Sequence, residues 1–389
     1  MKIHRVKSGE TIFSIAREYS VPPTKIIENN GLLHPDKLSV GEELLILTPT
    51  RTYTVRGSDT LRRVADRFSV KCSSIVAKNP SLLGGEKLYP GQILTLKNDT
   101  PPYGLAFGHG YYYNGTPIER LHCVLPYLTY VSVCAARVKG DDVKLMFDDS
   151  RAVKEIRDAG KIPLLQIYCD DRRCELDDAM RDTAILLAKA RGYGGINLCM
   201  SRADCDCEAY SKFLLELKRT LLEYDLLLFV ELDENKDCRV LESYDGAILS
   251  YSKAQMNEPP SFKNGELLTF EKFADNYETS KAYVELSPFA FAGDEVILRE
   301  DAMKIAYTNK CEIAYDEGTK LCYFDYNKYT RGQKIPTRVV FESLENIKAK
   351  LDLVDELGYM GVSVDIMRVP MSYLLMFDAL FRHSIATVY

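Results

Sequence analysis

The sequence predicts an α/β protein: a (β/α)8 barrel of the TIM type with a small α+β insertion, preceded by two small βααβ domains. Three observations predict it. The first hundred residues repeat themselves: Val6 matches Val55, Thr11 matches Thr60 and Ala16 matches Ala65, at a constant offset of 49. The stretch "KNDTPPYG" (97–104) then breaks the pattern with the composition of a linker. Beyond it, eight short apolar segments alternate with helical patterns over about 290 residues.

Each repeat reads strand, helix, helix, strand. "IHRV" and "TYTV" alternate as short strands. Thr11 and Thr60 stand where a helix N-cap is expected, ahead of "IFSIAREY" and "LRRVADRF". Ile12, Ile15, Ala16 and Tyr19 fall on one helical face. Asn30-Gly31 and Asn79-Pro80 end the second helix of each unit. Gly41 and Gly91 precede the closing strands "EELLIL" and "QILTL". The expected domains are 1–49, 50–98 and 99–389.

In the large domain the expected barrel strands are 105–112, 128–135, 161–169, 194–201, 226–232, 245–252, 281–291 and 360–367. Helical patterns lie between them, among them 148–160, 182–194, 207–224 and 343–358. The stretch 309–343 is rich in short strand signals and fits a β-rich insertion between strands seven and eight.

Composition narrows the function classes. A net charge of −6 over 389 residues argues against a nucleic-acid polyanion as the main partner. No run of 18 apolar residues exists, so no membrane span is expected. The start, "MKIHRVKSGE", lacks the apolar core of a secretion signal, which places the chain in the cytoplasm or on a route without one. Eleven cysteines cannot all pair internally. Cys134, Cys169 and Cys199 fall at the ends of strands two, three and four, and Cys174, Cys205 and Cys207 in adjoining loops. Such a cluster reads as buried thiols, as cross-links into an assembly or as a zinc site. C-x-C and C-x4-C are not standard zinc spacings, so no metal and no cofactor is expected.

The two repeats resemble LysM modules, which bind N-acetylglucosamine polymers. "SGETI" and "GSDTL", "NNGLL" and "KNPSL", and "LSVGEELLI" and "LYPGQILTL" carry the resemblance. It implies a shallow sugar groove at Gly9, Glu10, Thr11, Ile12 with Asn30, Gly31, Leu32, and at Ser58, Asp59, Thr60, Leu61 with Asn79, Pro80, Ser81. Free N–H groups at a helix start suit an acetamido oxygen, and Ile or Leu suits its methyl. In the second module "RGSDT" displaces the usual glycine by one, so weaker binding is expected there.

The large domain resembles glycoside hydrolase family 18, in the LysM-bearing branch of SleL- or YaaH-type spore cortex-lytic proteins. The resemblance rests on "LTYVSV", "KIPLLQI", "GYGGINL", "ILSYS", "EIAYDE", "CYFDY" and "RVVFESLENIKAKLDLVDELGYMGVSV", in that order. In the family, strand four carries D-G-x-[DN]-x-D-x-E. The Glu protonates the glycosidic oxygen, and the inner Asp holds the acetamido group that attacks in substrate-assisted catalysis. Here Gly194 replaces the first Asp, Cys199 the inner Asp and Ser201 the acid, while Asn197 persists. Strand six keeps Tyr251 but has Ser252 for its Asp. Val364 and Asp365 stand where a strand-eight tryptophan is usual, and the chain has no tryptophan.

The resemblance therefore implies a pseudoenzyme that binds peptidoglycan or another N-acetylglucosamine polymer. It implies deposition from a mother cell onto a spore, with coat proteins as further partners. The alternative is an active spore cortex N-acetylglucosaminidase whose acids have moved to Asp204, Asp206 or Glu208, residues that otherwise read as a solvated helix start. Tyr111, Tyr112, Tyr113 and Tyr251 are aromatic candidates for stacking on a sugar.

Overall fold

The computed structural model describes residues 1–82, 87–100, 102–139, 142–169, 178–199, 207–232, 243–249, 270–271, 273–275, 278–330 and 333–383. Each N-terminal repeat is a two-stranded antiparallel sheet with two helices. The first pairs Lys2–Arg5 with Glu43–Ile46 and carries helices Ile12–Tyr19 and Pro23–Asn30. The second pairs Pro49–Thr54 with Ile93–Asn98 and carries helices Leu61–Phe68 and Cys72–Ala77. Ile12, Ile15, Ala16 and Ile26 form the first small core, and Leu61, Val64, Ala65 and Ile75 the second.

Both repeats use the same internal clips. The Asn30 amide donates to the carbonyls of Ile26 and Leu45, both at 2.9 Å, and its oxygen accepts from the Leu45 N–H at 2.7 Å. Asn79 does the same with Ile75, Thr95 and the Thr95 N–H, at 2.7, 2.8 and 2.7 Å. One side chain thus ties the end of the second helix to the closing strand. Asn79 is 0% exposed and its oxygen also accepts from the Lys25 ammonium at 3.1 Å, which joins the two repeats.

The large domain is a closed barrel of eight parallel strands: Leu105–Tyr112, Tyr130–Lys139, Ile162–Tyr168, Gly195–Cys199, Leu227–Leu232, Gly246–Leu249, Ala282–Leu286 and Gly361–Asp365. The ring closes where the first strand pairs with both the second and the eighth. Gly361 lies on that seam, where a Cβ would collide with the Phe107 carbonyl. Four helices between strands, Ser150–Asp158, Asp178–Arg191, Cys207–Leu222 and Leu344–Glu356, follow the 3.6-residue pattern of the sequence.

The expected single strand 281–291 is two strands. Ala282–Leu286 stays in the barrel, and Phe289–Ala292 leaves it to pair antiparallel with Gln333–Glu342. Pro288, which lacks an N–H to extend a ladder, stands between them. The insertion therefore starts about twenty residues before the expected position 309. It is a five-stranded antiparallel sheet backed by helix Arg299–Thr308, with its own core of Ala290, Ala306, Phe324, Val339 and Phe341.

The barrel interior is packed. At mid-height His109 bonds Ser363 and Ser132, each at 2.8 Å, and Asn197 donates to the Ser132 hydroxyl at 2.9 Å. Phe229, Tyr283, Leu164 and Ile248 surround them. Burial pushes the His109 pKa down to about 3, so the ring is neutral in the fold.

Two predictions follow from these buried polar groups. Asn79→Ala removes the acceptor of the buried Thr95 N–H and one partner each of the Ile75 and Thr95 carbonyls and of Lys25, which keeps Glu28 at 3.1 Å, and is expected to cost roughly 3 kcal/mol. Asn30→Ala, less buried and without the lysine, is expected to cost less; thermal melting of both variants checks the order. For His109 the folded pKa lies below the unfolded value, so the unfolded chain takes up the extra proton as acid is added. Stability is therefore lost as pH falls from about 6.5 toward 3, by up to roughly 1.4 kcal/mol per pH unit. His109→Gln should remove that share of the slope in denaturant titrations at pH 7 and pH 4.5.

Candidate functional site

Two surfaces qualify: the loops at the helix starts of the repeats, and the mouth of the barrel. In the first repeat the Thr11 hydroxyl accepts from the Ser14 N–H at 3.2 Å, and the Ser14 hydroxyl accepts from the Thr11 N–H at 2.9 Å. This reciprocal cap leaves the N–H groups of Ile12 and Phe13 without an intrahelical acceptor. Thr60 caps the second repeat by accepting from the Arg63 N–H at 3.3 Å. Gly9, with φ +80°, and Gly31, with φ +61°, are exposed at the two loop turns.

Several of the expected groove residues turn inward. Glu10 accepts from the Lys7 N–H at 2.7 Å and bonds the His4 ring at 2.8 Å. Partial burial opposes its ionisation, but the Lys7 N–H and the His4 ring hold its carboxyl below the ordinary value. Asp59 occupies the matching place, accepting from the Tyr53 hydroxyl at 2.6 Å and the Arg56 N–H at 2.8 Å, and these two donors lower its pKa. Ile12 and Leu61 are buried in the repeat cores, and Leu32 is partly buried against the first. Asn30 and Asn79 are the clips described above. The Ser58 carbonyl accepts from the Arg63 guanidinium at 2.9 Å; Ser81 is exposed, and Pro80 is half-buried in a short 3-10 turn.

Two exposed apolar side chains adjoin the expected groove residues in sequence, and the sequence reading passed over both. Phe13 is 76% exposed and Leu33 is 81% exposed. Phe13 follows the inward Ile12 in helix Ile12–Tyr19, so helical phase predicts its exposure, whereas Leu33 lies beyond the second helix, which ends at Asn30. At the position of Phe13 the second repeat has Arg62.

At the barrel mouth, alternation along the strands sets one polar layer: Tyr111, Cys134, Gln166, Cys199, Glu231, Glu285 and Asp365. The Cys199 thiol donates to a Glu231 oxygen at 2.8 Å. The Gln166 amide donates to the other Glu231 oxygen, and the Cys134 thiol donates to Gln166. Burial raises the Tyr111 pKa, assisted by the charges of Glu231 and Glu285. Tyr113 stacks on Tyr111 with ring centres 6.1 Å apart, whereas Tyr112 turns away and donates to the Thr116 carbonyl at 3.0 Å.

Gly194 precedes strand four, with its N–H on the Pro163 carbonyl at 2.8 Å, and Asn197 lies one layer below the mouth. Val364 is buried on the outer side of strand eight and does not line the mouth. Asp365 caps the following turn, accepting from the Met367 N–H at 2.9 Å and the Arg368 guanidinium at 2.6 Å. Ser201, Tyr251, Ser252, Asp204, Asp206, Cys174 and Cys205 lie outside the described residues. Cys207 and Glu208 open helix Cys207–Leu222.

Of the expected cysteine cluster, Cys134 and Cys199 are at the mouth and are not disulfide-bonded, while Cys169 is disulfide-bonded and buried on the helix side of the barrel. Among the described residues no three His, Cys, Asp or Glu side chains converge to hold a metal ion, and no helix is long and apolar enough to cross a membrane. Glu231 and Glu285 escaped the sequence reading. The signal was present: each stands two residues beyond an inward aromatic, Phe229 or Tyr283, at the C-terminal end of a strand.

The LysM domain family matches residues 4–47 and 53–97. The spore cortex-lytic enzyme SleL of Bacillus megaterium QM B1551 has a similar structure, with a TM-score of 0.75 at 20% identity over 99% of both chains. A chitinase from Chromobacterium violaceum is similar over 70% of this chain and 98% of its own, with a TM-score of 0.61 at 16% identity. The putative sporulation-specific glycosylase YdhD of Bacillus subtilis is 24% identical over 276 residues. That match spans 64% of this chain and 64% of YdhD, so the chain covers less than two thirds of that relative. The chain carries two LysM domains ahead of a barrel with the chitinase fold, in the arrangement seen in SleL.

Proposed function

We propose that this chain binds peptidoglycan or another N-acetylglucosamine polymer through its LysM domains, and that its barrel does not cut glycan. The observation that carries the second half is the end of strand four. Cys199 stands where the resemblance calls for the carboxylate that orients the acetamido group, and its thiol is engaged with Glu231 at 2.8 Å. Two residues on, Ser201 stands where the general acid is needed. A serine hydroxyl is far too weak an acid to protonate a leaving oxygen, and losing general-acid help alone costs about 10²- to 10⁴-fold.

The first half is supported by the family match of both repeats and by the exposed Phe13 at a helix start whose first N–H groups have no intrahelical acceptor, which suits the flat face and acetamido group of an N-acetyl sugar. Association with spores is supported by the names of the similar proteins, the spore cortex-lytic enzyme SleL and the sporulation-specific glycosylase YdhD.

A second reading keeps the barrel active, and the paired carboxylates at the mouth favour it. Glu231 and Glu285 stand at strand ends where barrel enzymes place their chemistry. Against it, both oxygens of Glu231 already accept hydrogen bonds from Cys199 and Gln166.

The test pairs retention on insoluble peptidoglycan with reducing-end release from chitin hexamers and from muramic-lactam glycan. Retention without turnover is expected, and Phe13→Ala should weaken retention several-fold, about 1 kcal/mol. Turnover that disappears in Glu231→Gln, Glu285→Gln, Asp204→Ala or Glu208→Ala would establish the second reading instead.

A further inference from the structure

The charge of this chain is unevenly divided. Residues 50–98 hold nine Lys and Arg against three Asp and Glu, a net charge of +6 within a chain of −6. Residues 1–49 hold six of each and are neutral. The two LysM domains therefore share a fold and differ in electrostatics.

Part of the excess lies at the loop that matches the first domain's expected groove. Arg56, Arg62 and Arg63 flank Ser58–Leu61, and all three are exposed. Their counterparts in the first domain are Lys7, Phe13 and Ser14. The exchange of Phe13 for Arg62 replaces a flat apolar surface with a guanidinium, whose side chain is 84% exposed. Arg62 has only a long contact with Asp66, at 3.7 Å on open surface, and such a pair is worth little. Arg63 folds back onto the Ser58 carbonyl at 2.9 Å, which fixes its guanidinium over the groove loop. Arg56 has no ion-pair partner among the described residues. Asp59, the one acid in the loop, stays ionised but also lies 3.9 Å from the Arg67 guanidinium, so its single charge leaves the three rim arginines in excess.

Guanidinium groups bind oxyanions through paired N–H donors, and a cluster of them selects an anionic polymer over a neutral one. We propose that the second LysM domain reads the carboxylates of an acidic polysaccharide containing N-acetylglucosamine, while the first grips the neutral sugar face. This rests on the reading of the LysM domains as glycan binders. Peptidoglycan carries such carboxylates on its lactyl and peptide groups, interspersed with N-acetylglucosamine. The shared chemistry is an oxyanion on a sugar chain, and a phosphate polymer is the other source of it.

The experiment uses the full chain and the triple variant Arg56→Gln, Arg62→Gln, Arg63→Gln, with melting temperatures compared first. Four probes are titrated at 50 and 300 mM salt: a chitin hexamer, a hyaluronate oligomer of equal length, a polyphosphate and a DNA duplex. Hyaluronate should bind the parent chain about fivefold or more tighter than the chitin hexamer at low salt, with the advantage gone at high salt. The triple variant should lose about tenfold for hyaluronate and change less than twofold for chitin. Arg62→Phe, which copies the first domain and keeps two arginines, should improve chitin binding and reduce the salt dependence. Equal affinities for the two sugars, an unchanged triple variant, or a preference for polyphosphate or DNA would overturn the proposal. Absence of chitin binding with hyaluronate binding intact would instead remove the neutral-sugar reading of the first domain and leave the arginine rim standing.

Discussion

Closing eight parallel strands into a ring points every second side chain at a common axis, and those side chains must satisfy one another. The rest of the large domain follows from how they do so. At mid-height a buried histidine is accommodated because Ser132 and Ser363 flank it and Asn197 extends the network. One layer higher, Cys134, Gln166, Cys199 and Glu231 form a chain of hydrogen bonds across strands two to five. In that layer the four side chains bond to one another across neighbouring strands, so the closure that brings them to the mouth also engages their polar groups.

The LysM domains show one backbone solved with two sets of side chains. His4, Glu10 and Tyr19 in the first correspond to Tyr53, Asp59 and Phe68 in the second. In each the carboxylate accepts from a loop N–H and from the strand residue, and an edge-to-face ring pair backs it, with centroids 5.5 and 5.2 Å apart. The asparagine clip, by contrast, is unchanged, because no other side chain can donate to two carbonyls and accept from an N–H at once in that position. Freedom at the rim and rigidity at the clip explain how one domain can become basic without losing its fold.

Much of this was legible in the sequence. Alternation and the helical period found the eight strands and their helices, because burial on one face leaves a period that needs no knowledge of partners. The threonine caps were legible for the same reason: they act locally. The break at Pro288 was visible as a residue but not as a departure, since the partner of Phe289–Ala292 is a strand segment about fifty residues later. The groove was harder. The sequence marks a position such as Asn30 or Glu10 but not whether its side chain faces ligand or backbone, and here both face backbone. Glu231 lay in plain alternation, yet its engagement with Cys199 depends on neighbouring strands that only the closed ring brings together.

The stretch read as a linker has a further consequence. Tyr103 donates its N–H to the Leu380 carbonyl at 2.5 Å and its hydroxyl to Asp352 at 2.8 Å, and the Gly104 N–H donates to Asp355 at 3.0 Å. The LysM domains are likewise clamped to the barrel: the Tyr127 hydroxyl donates to the Ala77 carbonyl at 2.6 Å, Lys78 pairs with Asp378 at 3.0 Å, and Glu43 accepts from the Leu344 N–H at 2.6 Å. Lys25 joins one LysM domain to the other. Binding sites on a floppy tether gain avidity through an effective concentration that falls with tether length. Sites held on one body avoid that loss, and their orientation entropy is settled during folding instead of on binding. The same rigidity imposes a demand: a polymer engages both domains only if its own repeat places a sugar face and a charge at the spacing the barrel dictates. On the proposed reading, the large domain fixes the spacing and orientation at which the two LysM domains would meet such a polymer.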